Sequence, residues 1–179
     1  VKVTSTGKIK GLTYGSTAIL VTVDGKTLEV TAAVGKKTAV KAVKRAYKAL
    51  GCTYSQPKRM SKNYYDCSSL VWRSYAPYGI RMGVKTTWAP TAAAQAYYFK
   101  VHNKVVAYKY VSESKMRVGD LIYFDADSSY NGRYRGIDHV AMYVGNGKII
   151  HANATTWSVA ETDYKDLKKY VTLIARPVK

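Results

Sequence analysis

The sequence predicts an α+β fold in which helices come first and an antiparallel sheet follows, with a small β segment at the N-terminus. Three observations predict it. Between Thr38 and Phe99, apolar residues recur at helical spacing in three segments. From Val105 onward they gather in short β-rich runs separated by turns such as Gly145-Asn146-Gly147. Before Val34 they alternate with polar residues around a single Asp-Gly pair. Helical segments followed by a run of strands argue for α+β. The 179 residues, 47% hydrophobic and 22% charged, suffice for one packed domain and a small appendage.

Val1 opens within a polar strand pattern, so the chain reads as the C-terminal part of something longer. Residues 18–23 and 26–31 flank Asp24-Gly25 and predict a hairpin. With Ser5-Thr6-Gly7-Lys8 and Gly15-Ser16-Thr17 they resemble part of a bacterial Ig-like repeat, which implies a spacer over 1–34. Composition changes at Gly35, and the main domain is expected over 36–179. Thr38 is the expected N-cap of a first helix reaching Leu50, carrying Val40, Val43, Ala46 and Tyr47 on one face and closed by Gly51. Residues 54–64 read as a polar loop around Pro57. A second helix is expected over 67–75, stopped by Pro77 and Gly79, and a third over 90–99. Strands are expected at 105–111, 120–124, 137–144, 148–152 and 171–176.

The chemistry gathers around Tyr65-Asp66-Cys67-Ser68-Ser69-Leu70-Val71. It places a thiol in the first turn of a helix, where free backbone N–H groups and the dipole favour a thiolate. His139 opens an apolar strand and His151 lies beyond the tight turn, so a hairpin would set both imidazoles on adjacent strands. Nucleophile, base and orienting group suggest a cysteine hydrolase, with Cys67 as nucleophile, His139 as base and His151 as orienter. A lone buried histidine is ordinarily a satisfied core residue; two on one hairpin with a helix-start cysteine are not. Cys52 follows a helix end and reads as a small packed residue rather than a disulfide partner. No close pair of the Cys-x-x-Cys kind supports a metal site, and the mechanism needs no cofactor. His102 has no partner motif, and Asp138 points away from its neighbour on the strand.

The formal charge of +18 implies a polyanionic partner. Its lysines are scattered and no zinc-finger or RRM motif accompanies them, so nucleic acid is not expected. Anionic polymers of a bacterial cell wall fit equally well. Seventeen tyrosines against two phenylalanines favour surfaces that meet polar ligands. No apolar run approaches the roughly 18 residues of a membrane span.

Asp66-Cys67-Ser68-Ser69-Leu70-Val71, Val118-Gly119-Asp120-Leu121, Asp138-His139-Val140-Ala141 and Ile150-His151-Ala152, in that order, resemble the NlpC-type cysteine endopeptidases of bacterial cell walls. The resemblance implies a papain-like core and cleavage of peptidoglycan stem peptides between D-γ-glutamyl and the following diamino acid. It puts Cys67, His139 and His151 on the catalytic positions. Asp66 and Tyr54 fall on substrate-binding positions, Asp66 as a reader of the peptide's free amine, and Ser69 stands where the family often has Gly. The family's Trp-Gly-Gly after the tyrosine is replaced by Ser55-Gln56-Pro57-Lys58-Arg59. Residues 126–136 are long for a hairpin loop. The expectation is a secreted or wall-associated monomer from a Gram-positive bacterium. The competing readings are a non-catalytic wall-binding or adhesion module and an acyltransferase using the same three residues.

Overall fold

The computed structural model describes residues 1–127 and 131–179. The N-terminal β segment forms two separate antiparallel pairs: β1 (Lys2–Val3) with β2 (Ile9–Lys10), and β3 (Gly15–Val23) with β4 (Lys26–Val34). The β3–β4 loop is the two residues Asp24 and Gly25, at φ 49° and 73°, the left-handed pair that matches strand twist. This hairpin docks on the main domain: Ser16 Oγ accepts the Asn146 N–H at 2.7 Å, and Asn146 Nδ2 donates to Glu29 Oε1 at 2.9 Å.

Helix α1 (Lys37–Tyr47) follows, then β5 (Thr53–Tyr54), β6 (Tyr64–Tyr65), α2 (Cys67–Tyr75) and α3 (Ala92–Val101). Strands β7 (Val105–Ala107), β8 (Leu121–Phe124), β9 (His139–Gly145), β10 (Lys148–Asn153), β11 (Ser158–Asp163) and β12 (Val171–Ala175) complete an eight-stranded sheet. Its order is β6-β5-β11-β10-β9-β8-β12-β7, antiparallel except between β5 and β6. The three helices pack on one face, burying Leu121, Tyr123, Val140, Met142, Ile150 and Leu173 against Leu70, Val71 and Ala96. The alternate residues Ile122, Phe124, Ala141, Tyr143, Ile149 and Ile174 are covered from the other side by Met116 and Tyr164. Both faces are therefore dry, which is why β8 and β9 read as continuous apolar runs rather than alternating ones.

Several expected elements differ at their ends. Thr38 lies inside the first turn of α1; the N-cap is Lys36, with no side-chain cap. The helix stops at Tyr47 instead of Leu50: residues 48–51 form turns in which the Ala49 and Leu50 N–H groups reach only three residues back, to Ala46 O and Tyr47 O, and Gly51, at φ 76°, then gives its N–H to Val159 O at 2.9 Å. The stretch 54–64 is bounded by β5 and β6, two-residue strands too short to leave a periodicity. Strand β7 ends at Ala107, and β11 was not expected at all. Of the loop 126–136, residues 128–130 lie outside the described residues. No helix among the described residues is long and apolar enough to cross a membrane.

Asp120 and Arg176 staple the sheet's far end, with two 2.8 Å contacts from a carboxylate 1% exposed. Next to it Gly119 adopts φ 89°, and its carbonyl accepts the Tyr75 hydroxyl at 2.6 Å. A side chain at Gly119 would strike Tyr75 and Ala39, so α1 and α2 close on the sheet only around a glycine.

Candidate active site

Helix α2 starts at Cys67 because Asp66 caps it. The Asp66 carboxylate accepts the Ser69 N–H at 2.7 Å while Ser69 Oγ accepts the Asp66 N–H at 3.0 Å, a reciprocal capping box. Ser69 is thereby wholly buried and its hydroxyl consumed, so it shapes the helix start and does not reach the cleft. Asp66 is 5% exposed. Its Oδ1 also accepts the Ser68 hydroxyl, and Oδ2 lies 3.1 Å from Arg59 Nε, a charge contact outside hydrogen-bonding geometry. Arg59 is held in turn by Ser68 Oγ at 2.8 Å and by the carbonyls of Ala89 and Pro90.

Cys67 is 8% exposed and unpaired, as is Cys52, which is partly buried behind α1. Helix-start placement alone would lower the thiol pKa. Burial wins instead: desolvation, with the Asp66 charge adding to it, pushes the Cys67 thiol up to about 12 against the helping N–H groups of Val140 and Ser68. The resting thiol is protonated at neutral pH.

The β9–β10 hairpin turns at Asn146 and Gly147, both in the left-handed region, and brings the two histidines together. His139 Nε2 and His151 Nδ1 are 2.7 Å apart, with the rings edge to face. His151 is 4% exposed, and its Nε2 meets Thr162 Oγ1 of β11 at 3.2 Å. Desolvation, and for His139 repulsion from its neighbour, holds both imidazoles well below the usual range and neutral. Asp138 accepts the N–H groups of Ala126 and Asp127 and so secures the loop preceding β9. His102 is exposed, stacked on Tyr98 far along α3.

Two grooves meet at Cys67. One is lined by Tyr54, Phe124, His139, His151, Asn153 and Tyr170. The other runs between Gln56, Arg59, Trp88, Thr91 and Arg133. The two grooves share Cys67 and Asp138, so the nucleophile lies where they meet, with Arg59 and Arg133 lining one and Tyr54, Phe124 and Tyr170 the other. Tyr54 packs edge-on against Trp157 and accepts from Gln56 Nε2 at 3.2 Å. Sequence patterning gives Arg59 and Thr162 no role at the site: one lies in a loop without periodicity, the other on β11, which has no clear strand pattern. Among the described residues no cluster of three His, Cys, Asp or Glu side chains could hold a metal ion.

Comparison with known proteins places the chain in a family. The model of the NlpC/P60 family matches residues 50–176. The bifunctional muramidase/DL-endopeptidase CwlT of Bacillus subtilis is 33% identical over 126 residues, covering 70% of this chain and 31% of that protein. The peptidoglycan DL-endopeptidase CwlO of Bacillus licheniformis is 30% identical over 91 residues, covering 51% of this chain and 16% of that one. The chain thus spans about a third or less of the length of these relatives. Among solved structures, NlpC2 of Trichomonas vaginalis aligns with a TM-score of 0.63 at 24% identity, over 87% of this chain and 56% of that one. The peptidoglycan hydrolase RipB of Mycobacterium tuberculosis aligns with 0.56 at 20% identity, over 80% and 66%. The fold is the papain-like α+β core of these neighbours, and the chain belongs to the NlpC/P60 family.

Proposed function

We propose that this NlpC/P60 chain is a peptidoglycan hydrolase, a cysteine endopeptidase that cleaves cell-wall stem peptides at the D-γ-glutamyl–diamino acid bond. The observation that carries the reading is the junction of the two grooves at Cys67, with the His139–His151 pair at 2.7 Å lining the same cleft. The DL-endopeptidase names of the Bacillus relatives support the bond assigned.

In this reading His139 is the base. Its Nε2 is engaged by His151, which leaves Nδ1 for the thiol. Thiol and imidazole start neutral, so the proton passes from Cys67 Sγ to His139 Nδ1 as sulfur attacks the scissile carbonyl carbon. The negative charge moves to the carbonyl oxygen, stabilised by N–H groups at the start of α2. The His139 imidazolium then gives its proton to the departing amine and leaves a thioester on Cys67. Water, deprotonated by His139, attacks the thioester; the peptide leaves as its acid and the thiol is restored. No cofactor enters these steps. Tyr54 and the Asp66–Arg59 pair flank the peptide on either side of the bond, and Ser69 acts only through the cap.

The net charge of +18 supports retention on anionic wall polymers outside the cell, and the β hairpins over 1–34 fit a partial Ig-like module or spacer. The test is mass spectrometry of muropeptides digested by wild type and by Cys67→Ala. New termini at the D-γ-glutamyl bond in the first digest alone support the reading. Amine adducts formed on adding a free amine would point to a transferase instead.

A further inference from the structure

We infer that Arg133 reads the α-carboxylate of the D-glutamyl residue and so separates stem peptides in which that group is free from those in which it is a carboxamide. The inference rests on the D-γ-glutamyl bond assigned above. That bond uses the side-chain carboxyl of the glutamyl residue, so the α-carboxyl stays outside the linkage that is cut. Four carbon–carbon bonds, at most ~5 Å, separate it from the carbonyl that the thiol attacks. The cleft beside Cys67 therefore meets either a carboxylate or its amide.

Four charged side chains line the groove that Cys67 shares with Trp88 and Thr91: Arg59, Asp66, Arg133 and Asp138. Three of them are already occupied. Arg59 lies against Asp66 and gives its Nη2 to Ser68 Oγ and to the carbonyls of Ala89 and Pro90. Asp66 caps α2, and Asp138 accepts the N–H groups of Ala126 and Asp127. Arg133 differs. It is exposed, and among the described residues its guanidinium has neither a hydrogen bond nor an ion pair.

The backbone that carries it is nonetheless anchored. The Arg133 N–H donates to Asn131 Oδ1 at 3.0 Å, its carbonyl accepts the Gly136 N–H at 3.1 Å, and Asn131 Nδ2 donates to Gly136 O at 2.8 Å. Tyr134, the next residue, packs edge-on against Tyr97 of α3 with ring centroids 5.3 Å apart. A guanidinium held in this way offers a carboxylate two parallel N–H donors. A carboxamide accepts through its oxygen alone and sets its own N–H groups against those donors. The difference favours the free acid. Arg135 carries the same charge two residues on, but it lies over the Tyr108 ring at 5.1 Å and does not line this groove.

The experiment uses pairs of tripeptides, L-alanyl-D-γ-glutamyl-L-lysine and its meso-diaminopimelate counterpart, each with the α-carboxyl of the glutamyl residue free or amidated. They are offered to wild type, Arg133→Gln and Arg135→Gln. Wild type should turn over the free acid with a kcat/KM about 10- to 100-fold above that of the amide, the range of a hydrogen bond to a charged group. Arg133→Gln should remove the preference by slowing the acid alone, mainly through KM, while Arg135→Gln keeps it. Equal handling by wild type, a preference that survives Arg133→Gln, or one lost equally in Arg135→Gln would overturn the assignment. Calorimetric binding of the same peptides to Cys67→Ala protein, with and without Arg133→Gln, reads the contact without turnover. A protein that binds the acid through Arg133 yet cleaves neither peptide would count against the endopeptidase reading alone. Binding without a difference between acid and amide, or no binding, would overturn the role of Arg133.

Discussion

Arg59 holds its Nε 3.1 Å from Asp66 Oδ2, so the carboxylate that immediately precedes the nucleophile meets a cation from its own chain. The pair is nearly buried, with side chains 13% and 7% exposed, and every other polar contact of Asp66 serves the start of α2. A substrate amine that reaches Asp66 therefore meets a carboxylate already in contact with Arg59.

Arg59→Ala should destabilise the fold by about 3 kcal/mol, because removing one partner strands a buried charge. Urea denaturation measures it. The Arg59→Met, Asp66→Asn double variant should recover much of the loss, since asparagine still caps the helix. A cost for Arg59→Ala below about 1 kcal/mol, the range of solvated pairs, would mean that water already compensates Asp66.

N-acetylating a free stem peptide should lower kcat/KM by less than about tenfold, the equivalent of ~1.4 kcal/mol. With Arg59 in place, the substrate's ammonium is not needed as the counter-ion of Asp66. Competition between acetylated and free peptides checks this, and a preference of a hundredfold or more for the free amine would show that Arg59 gives way.

Alkylation of Cys67 should accelerate with pH through the neutral range. A thiol raised to about 12 is protonated there, and each pH unit multiplies its thiolate fraction by about ten. Iodoacetamide labelling mapped by mass spectrometry gives the profile, with Cys52 as internal reference. A plateau from mildly acid to neutral pH would reveal a preformed thiolate–imidazolium pair.

Stability should fall on acidification below about 6.5. Both histidines are held neutral in the fold, with values lowered to about 3 for His139 and about 4 for His151, against 6.5 for the free side chain. Between those limits the unfolded chain binds more protons than the native one, so falling pH favours unfolding. Replacing both histidines with glutamine should flatten the dependence in that window; an unchanged slope would place the acid sensitivity elsewhere.

His139→Ala should reduce turnover further than His151→Ala, since the base moves protons and its neighbour orients it. Loss of general-base function costs roughly 10²- to 10⁴-fold. Rates on a muropeptide measured with folded variants decide it, and a greater loss in His151→Ala would exchange the two roles.

The α+β class, the start of α2 at Cys67 and the β9–β10 hairpin were legible in the sequence because each is a local matter. Asp66 caps the turn that it begins, the apolar spacing after Cys67 is helical, and Asn146-Gly147 bends one strand back on its neighbour. Those same short-range signals drew attention to Cys67, His139 and His151. They did not extend to β5 or β6, whose two residues are held only by their partners, or to β11, whose partner β10 is what makes it a strand.

What only the tertiary structure decided depends on how segments pack, not on local patterning. Arg59 reaches Asp66 from a loop whose sequence has no period, and Thr162 meets His151 only because β11 pairs with β10 in one register. The thiol shows the same division. Its place at a helix start is written in the sequence and argues for a lowered pKa, yet the sheet and helices that close over it remove water, and desolvation outweighs the dipole. Local order can be read from residue patterning along the chain, whereas burial and charge pairing are set by how loops, strands and helices come to lie against one another.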